Sequence, residues 1–381
     1  MSEKRKRNRN HTGTIRKRKD GLYEGRYTAP DGLQRSVYGT EKEVKAKLRK
    51  ALAEVTIGTW VEPSRMTVKQ WLEIWLADYL DHTRGRTKET YKWICEHRFY
   101  PSLGHIHLAQ FNTVHVMHML NDMQRSGLAP ATIVQARNVL YAAMKAAVSA
   151  KLIASNPVTD TQPPKIPKRK FCIVDRDNFP AFIAAAGNTR YENVLLFLIM
   201  TGLRASELCA LRWSDVDFDN ATVSVNRQLL TASAAKRSFR PPKDDSTREI
   251  CLPPEAVAVL KAQRKAQLEQ RMSRGSNWYE DEITEDLVFR RANGKNLTES
   301  ILYNAVHAVG AEIGLPELHP HDLRHSYAVA ALRAGADIKS VQHNLGHKSA
   351  VMTLDIYAGY TSDAGRTSAE RFSDYWTGAT N

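Results

Sequence analysis

Six residues in the second half of this 381-residue chain are of types that handle phosphate and its protons: Arg204, Lys243, His321, Arg324, His347 and Tyr357. Arg204 follows the apolar run Val194–Met200 and the helix-breaking Gly202, and Glu207 stands three residues on. Residues at that spacing share a helix face. The pair reads either as a surface ion pair, worth little, or as a guanidinium held by a carboxylate so that its fork grips a phosphate. Lys243 lies in a polar run between two strand-like pieces, with Lys236 nearby. A lysine at a hairpin tip is usually just solvated, but a mobile hairpin would let it bring its ammonium to a leaving oxygen. His321 and Arg324, near a helix start, are spaced to point one way, which suits a neutral imidazole or an anion between them. His319 and His325 read as structural histidines. Gly346 reads as a helix stop, with His347 the first residue beyond it. Tyr357 comes ten residues later, and nothing local marks it out among fourteen tyrosines.

The elements that must position these residues can be read along the chain. Gly13 to Thr40 alternates as three short strands separated by Asp20-Gly21 and Asp31-Gly32 turns. Thr40 and Glu43 fit a capping box, and Val44, Leu48 and Leu52 follow at helical spacing. Residues 11–65 therefore read as a small sheet backed by one helix. Arg16, Lys17, Arg18, Lys19, Arg26 and Arg35, interleaved with Tyr23, Tyr27 and Tyr38, would give it a basic, aromatic face suited to DNA. Residues 66–158 are helical throughout. Trp71, Leu72, Trp75 and Tyr79 form a stripe that reads as the core of a four- or five-helix bundle rather than a cofactor box. Residues 159–172 read as a proline-stiffened linker whose Lys165, Lys168, Arg169 and Lys170 suit a phosphate backbone. A mixed α/β region occupies 173–360, with strand-like pieces at 221–228 and 248–252. Residues 361–381 form a last segment.

Charge supports this layout. The formal net charge is +14, but residues 1–66 hold 17 Lys and Arg against 8 Asp and Glu, whereas residues 161–381 hold 28 against 26. The basic front, including the tail 1–10, is a footprint for a polyanion, or else a solubility or address tail. No apolar stretch approaches a membrane span, and the front lacks the apolar run of a secretory signal. Four scattered cysteines fit a reducing cytosol better than a disulfide framework, and no metal-ligand spacing occurs.

Taken in order, TGLRASELCALRWSDVDF, the hairpin lysine, HDLRHSYA and LGHKSAVMTLDIYAG resemble the tyrosine site-specific recombinase family, to which phage integrases belong. The resemblance implies a multidomain, mainly α fold with small β elements: a three-stranded-sheet arm-binding domain, a helical core-binding domain and a mixed α/β catalytic domain. It implies an active site of Arg204, Lys243, His321, Arg324, His347 and Tyr357, supported by Glu207. The two arginines would bind the non-bridging oxygens and His347 would add a donor. His321 would take the proton of Tyr357, Lys243 would protonate the departing 5′ oxygen, and a 3′-phosphotyrosyl link would result without metal, ATP or other cofactor. Lys236 and Tyr360 stay open as alternatives to Lys243 and Tyr357. The partners implied are double-stranded DNA with core-type and arm-type attachment sites, three further copies in a tetramer, and an accessory bending or excision factor. The tetramer would pass the C-terminal segment between protomers. Other readings are a chromosome-dimer resolving recombinase, a type IB topoisomerase, or a non-catalytic DNA-binding regulator on the same scaffold.

Overall fold

The computed structural model describes residues 13–58, 60, 65–80, 85–167, 171–233, 236–242 and 246–358. The chain divides into two units, Met1–Lys168 and Arg169–Asn381.

The first unit opens with an antiparallel sheet in the order β1 (Thr14–Lys17), β2 (Tyr23–Thr28), β3 (Gln34–Gly39). Helix α1 (Glu41–Ile57) starts at the expected capping box: the Glu43 amide donates to Thr40 Oγ1, and the Thr40 amide to the Glu43 carboxylate. Leu48 and Ala51 of α1 close against Tyr27 of β2 and Ala29 just beyond it. The register corrects the expectation of a single basic face. Arg16 pairs with Glu24, and Glu24 with Tyr38, while Lys17 pairs with Tyr23, and Tyr27 with Arg35. Side chains alternate between faces along a strand. Arg16 and Arg26 therefore share one face with Glu24, whereas Lys17 and Arg35 fall to the other; Arg35 bonds Asp31 at 2.8 Å. Lys19 lies in the turn after β1.

A separate core holds the helices α2 (Val68–Asp78), α3 (Gly85–Ile94), α4 (Tyr100–Leu103), α5 (Thr113–Arg125) and α6 (Pro130–Ser149). α3 runs into α4 through one wider turn, Cys95–Phe99, just before Pro101, which has no N–H to donate. The aromatic stripe is core: Trp71 and Trp75 are buried, and Trp71 Nε1 donates to the Ala143 carbonyl at 3.0 Å. The start of the expected linker belongs to this bundle. Arg137 reaches the carbonyls of Val158 and Thr161, both at 3.0 Å, so the free stretch begins after Thr161. Lys165 is exposed there, and Lys168, Arg169 and Lys170 lie outside the described residues.

The second unit is built around α8 (Glu192–Thr201), which is buried on nearly every side and packs against α10 (Pro254–Arg274) and α12 (Pro320–Arg333), with α7 (Phe179–Gly187) before it. An all-round apolar helix of this length is a core helix. The short α9 (Ala205–Leu208) follows. A three-stranded sheet has the order β4 (Val216–Asp217), β5 (Thr222–Val225), β8 (Arg248–Cys251). Between β5 and β8 the expected single loop contains a second, two-stranded sheet: β6 (Gln228–Ser233) and β7 (Lys236–Arg240), paired through Leu229 and Phe239. Lys236 thus begins a strand, and Lys243 follows β7, outside the described residues. α11 (Glu299–Glu312), α13 (Ile338–Leu345) and α14 (Ala350–Ala358) complete the unit. Among the described residues no helix is long and apolar enough to cross a membrane.

Candidate active site

Three glycine-stopped or helix-start positions converge. Gly202 ends α8 with φ +63°, and a side chain there would collide with Tyr327 and Leu345. The chain turns so sharply that Arg204 becomes the residue preceding α9, with Glu207 inside that helix. Gly346 ends α13 with φ +61° and turns the chain to His347. The left-handed region favours glycine at both stops.

Glu207 is the hub. Only 3 % exposed, it accepts four hydrogen bonds, which saturates a carboxylate. Oε1 accepts from Arg204 Nη1 at 2.7 Å and Arg248 Nη1 at 3.2 Å. Oε2 accepts from the Arg204 amide at 3.0 Å and Arg248 Nη2 at 2.8 Å. Burial works to raise its pKa, but the bonds and charges of Arg248 and Arg204 prevail and hold it below the usual carboxylate range. Arg204 is thereby fixed with 22 % of its side chain exposed, and its Nη2 donates to the Gly346 carbonyl at 3.0 Å.

Three guanidiniums cap the end of α13. Arg248 Nε donates to Asn344 O at 2.7 Å, Arg324 Nη2 to Leu345 O, and Arg204 Nη2 to Gly346 O. The last carbonyls of a helix lack partners and carry partial negative charge, so cations belong there. Arg324 differs from the expectation of an open fork. It is 1 % exposed, its Nη1 bonds Gly202 O at 2.7 Å, and its Nε has no hydrogen-bond partner among the described residues. Burial, then the charge of Arg204, lowers its pKa to about 9. His321, three residues earlier on α12, is exposed, and its ring stands edge-on to His325 at 4.5 Å. The shared helix face therefore does not put the two at one depth.

His347 is buried against these cations. Burial first, then Arg324, Arg204, His321 and Arg248, push its pKa down to about 4, so it is neutral at pH 7. Its Nδ1 lies 3.0 Å from Thr353 Oγ1, and Thr353 is fully buried. Tyr357 lies on α14, one turn after Thr353; Tyr360 is outside the described residues.

The structure thus gathers Arg204, Glu207, Arg324, His321 and His347. Sequence reasoning passed over Arg248 and Thr353. The inward alternation of Arg248 with Ile250 in β8 signals a buried arginine, and the four-residue step from Thr353 to Tyr357 signals a shared helix face.

Known proteins match this chain along most of its length. Residues 173–362 match the phage integrase family, and residues 67–124 match the phage integrase N-terminal SAM-like domain. The integrase of Mycobacterium phage L5 is 26 % identical over 365 residues, covering 90 % of this chain and 92 % of its own. The fold is that of the Tn1549 transposon integrase solved in complex with a circular intermediate DNA, with TM-score 0.68 and 23 % identity over 81 % of this chain and 99 % of that one. A lambda integrase tetramer bound to a Holliday junction superposes with TM-score 0.57 and 19 % identity, over 95 % and 99 % of the two chains.

Proposed function

The chain belongs to the phage integrase family of tyrosine recombinases, enzymes that cut and rejoin DNA at specific sites, and on that premise we propose that Tyr357 is its nucleophile. The observation that carries the proposal is the cluster of Arg204, Arg324 and His347 around the end of α13, one short turn from the helix that bears Tyr357.

The phenol oxygen of Tyr357 attacks the scissile phosphorus, and the bond to the 5′ oxygen breaks. The phenolic proton passes to His321, whose exposed ring is open to substrate. The 5′ oxygen takes a proton from Lys243. An ordinary phenol has a pKa of ~10, so neighbouring cations are needed to stabilise the phenolate. Charge building on the non-bridging oxygens meets the exposed edge of Arg204 and the neutral His347. Removing one preorganised donor of this kind costs ~3 kcal/mol. The tautomer this role needs has the neutral His347 ring accepting from Thr353 at Nδ1 and carrying its proton on Nε2, which is then that donor. The unpartnered Nε of Arg324 fits an arriving phosphoryl oxygen once DNA binding uncovers it. Because the phosphotyrosyl link keeps the bond energy of the phosphodiester, rejoining to another 5′ hydroxyl needs no ATP.

The reading extends to the whole chain. Residues 11–65 bind arm-type sites, residues 66–161 and 173–360 grip core-type sites, and the basic stretch that begins after Thr161 follows the backbone. Strand exchange in the cytoplasm takes a tetramer and an accessory bending or excision factor, and integrates or excises a prophage or conjugative transposon. The test is a nicked duplex built from the ends of the element that encodes the chain. Wild type forms a covalent, protease-sensitive adduct with it, and Tyr357→Phe binds the DNA but forms none. Adduct formation by the phenylalanine variant contradicts the proposal and points to Tyr360.

A further inference from the structure

Arg248 lies outside the set of residues assigned to the chemistry above, yet it contacts both Glu207 and the end of α13. It is the first residue of β8, and the strand's alternation turns it inward beside Ile250, where an aliphatic side chain would ordinarily sit. Its guanidinium joins three segments distant in sequence. Nη1 and Nη2 meet the two oxygens of Glu207 at 3.2 and 2.8 Å, and Nε meets Asn344 O at 2.7 Å. The Gly346 backbone lies close against it: a Cβ there would stand 2.9 Å from its Nη1. Apolar residues often replace buried ion pairs without loss of stability, so fold stability alone gives little reason for a buried charge here.

We propose that Arg248 is a positioning residue for strand cleavage: by filling the acceptor sites of Glu207 that Arg204 leaves open and by holding the end of α13, it fixes the Arg204 fork and the Gly346–His347 turn in the arrangement that receives the scissile phosphate. Two donors from Arg204 alone would leave Glu207 with half its acceptor sites empty in a buried setting, free to rotate and carry Arg204 with it. Arg248 supplies the other two and ties the pair to a second helix.

The inference rests on the Tyr357 reading, and the experiment separates the two. Full-length wild type, Arg248→Lys and Arg248→Met are each given the nicked duplex with either a phosphate or a neutral methylphosphonate at the scissile position. Single-turnover adduct formation, noncovalent DNA affinity and the thermal transition are read for each. With phosphate, Arg248→Met should lose about 100-fold in rate while affinity stays within about 2-fold, and Arg248→Lys should fall between it and wild type. With methylphosphonate, which has one charged oxygen fewer for Arg204 to meet, the deficit should shrink to about 10-fold or less. A merely structural role lowers both rates by one factor. Equal deficits on the two linkages, or a phosphate rate equal to wild type, would overturn the inference. If Arg248→Met fails to fold, the same comparison with Arg248→Lys decides. Absence of an adduct with wild type itself would instead remove the Tyr357 reading.

Discussion

His347 and Thr353 are joined across the turn between α13 and α14, Nδ1 to Oγ1 at 3.0 Å. Both are buried, so neither has water as a substitute partner. The helix that orients His347 is also the helix that bears Tyr357, and the two functions sit four residues apart on it. Any shift of α14 therefore moves the proposed nucleophile and the orientation of a phosphate donor together.

Thr353→Val keeps the shape and removes the hydroxyl. A buried group that loses its hydrogen-bond partner costs about 1–3 kcal/mol. Adduct formation should slow by about 10-fold, by the usual conversion of 1.4 kcal/mol per decade, with DNA affinity unchanged. Thr353→Ser should restore most of the rate. A valine variant as fast as wild type would show that Thr353 does not orient the ring.

The depressed pKa of His347 gives a pH signature. The unfolded ring, with its ordinary value of 6.5, takes up a proton at higher pH than the folded ring, whose value is about 4. Stability is therefore fully present above 6.5 and is lost as pH falls toward 4. Between about pH 7 and about pH 5 the second unit should lose about 1 to 2 kcal/mol more in wild type than in His347→Gln, solvent screening included. Urea unfolding at both pH values measures the difference. Equal losses would mean that the folded ring titrates like a free one.

Glu207→Gln removes the carboxylate that Arg204 and Arg248 share. Breaking a buried ionic pair from one side typically costs about 3–5 kcal/mol. The melting transition should fall, and adduct formation should be lost while DNA is still bound. Unchanged stability would contradict the four-donor geometry around Glu207.

What the sequence made legible was local, and what it hid acts over distance. The Thr40–Glu43 capping box and the Arg204–Glu207 ion pair are three-residue relationships at helix starts, and both contacts form. The aromatic stripe at Trp71 and Trp75 was visible because helix periodicity marks a core. Arg248 was hidden because its partners lie 41 and 96 residues away. The β6–β7 sheet was hidden because β7 is basic and Leu229 with Phe239 is the cross-strand apolar pair in the register of the described residues. The burial of Arg324 was hidden because a spacing of three gives direction on a helix but not depth in the fold.

In the first unit, Glu24 organises the basic face of the small sheet. It is buried, and it accepts from Arg16 Nε at 2.6 Å, Arg26 Nε at 2.9 Å and Ser36 Oγ at 2.9 Å. The bonds from Arg26 and Arg16 bring its pKa down to about 2. If this face meets the phosphate backbone, Arg16→Gln and Arg26→Gln should each flatten the salt dependence of arm-site binding by about 0.9 in slope. Arg35→Gln, on the other face, should leave the slope unchanged. Equal effects of all three, measured by affinity across a salt series, would show that the alternation does not decide which side binds.

The bond proposed between DNA and Tyr357 can be mapped at the level of the linked residue. The adduct from the nicked duplex is digested with protease and nuclease, and the DNA-linked peptide is sequenced by mass spectrometry. A 3′-phosphate is expected on Tyr357 in the peptide containing Thr353-Leu354-Asp355-Ile356-Tyr357. A 3′-phosphate on Tyr360 or on any other residue, or a 5′ linkage, would contradict it.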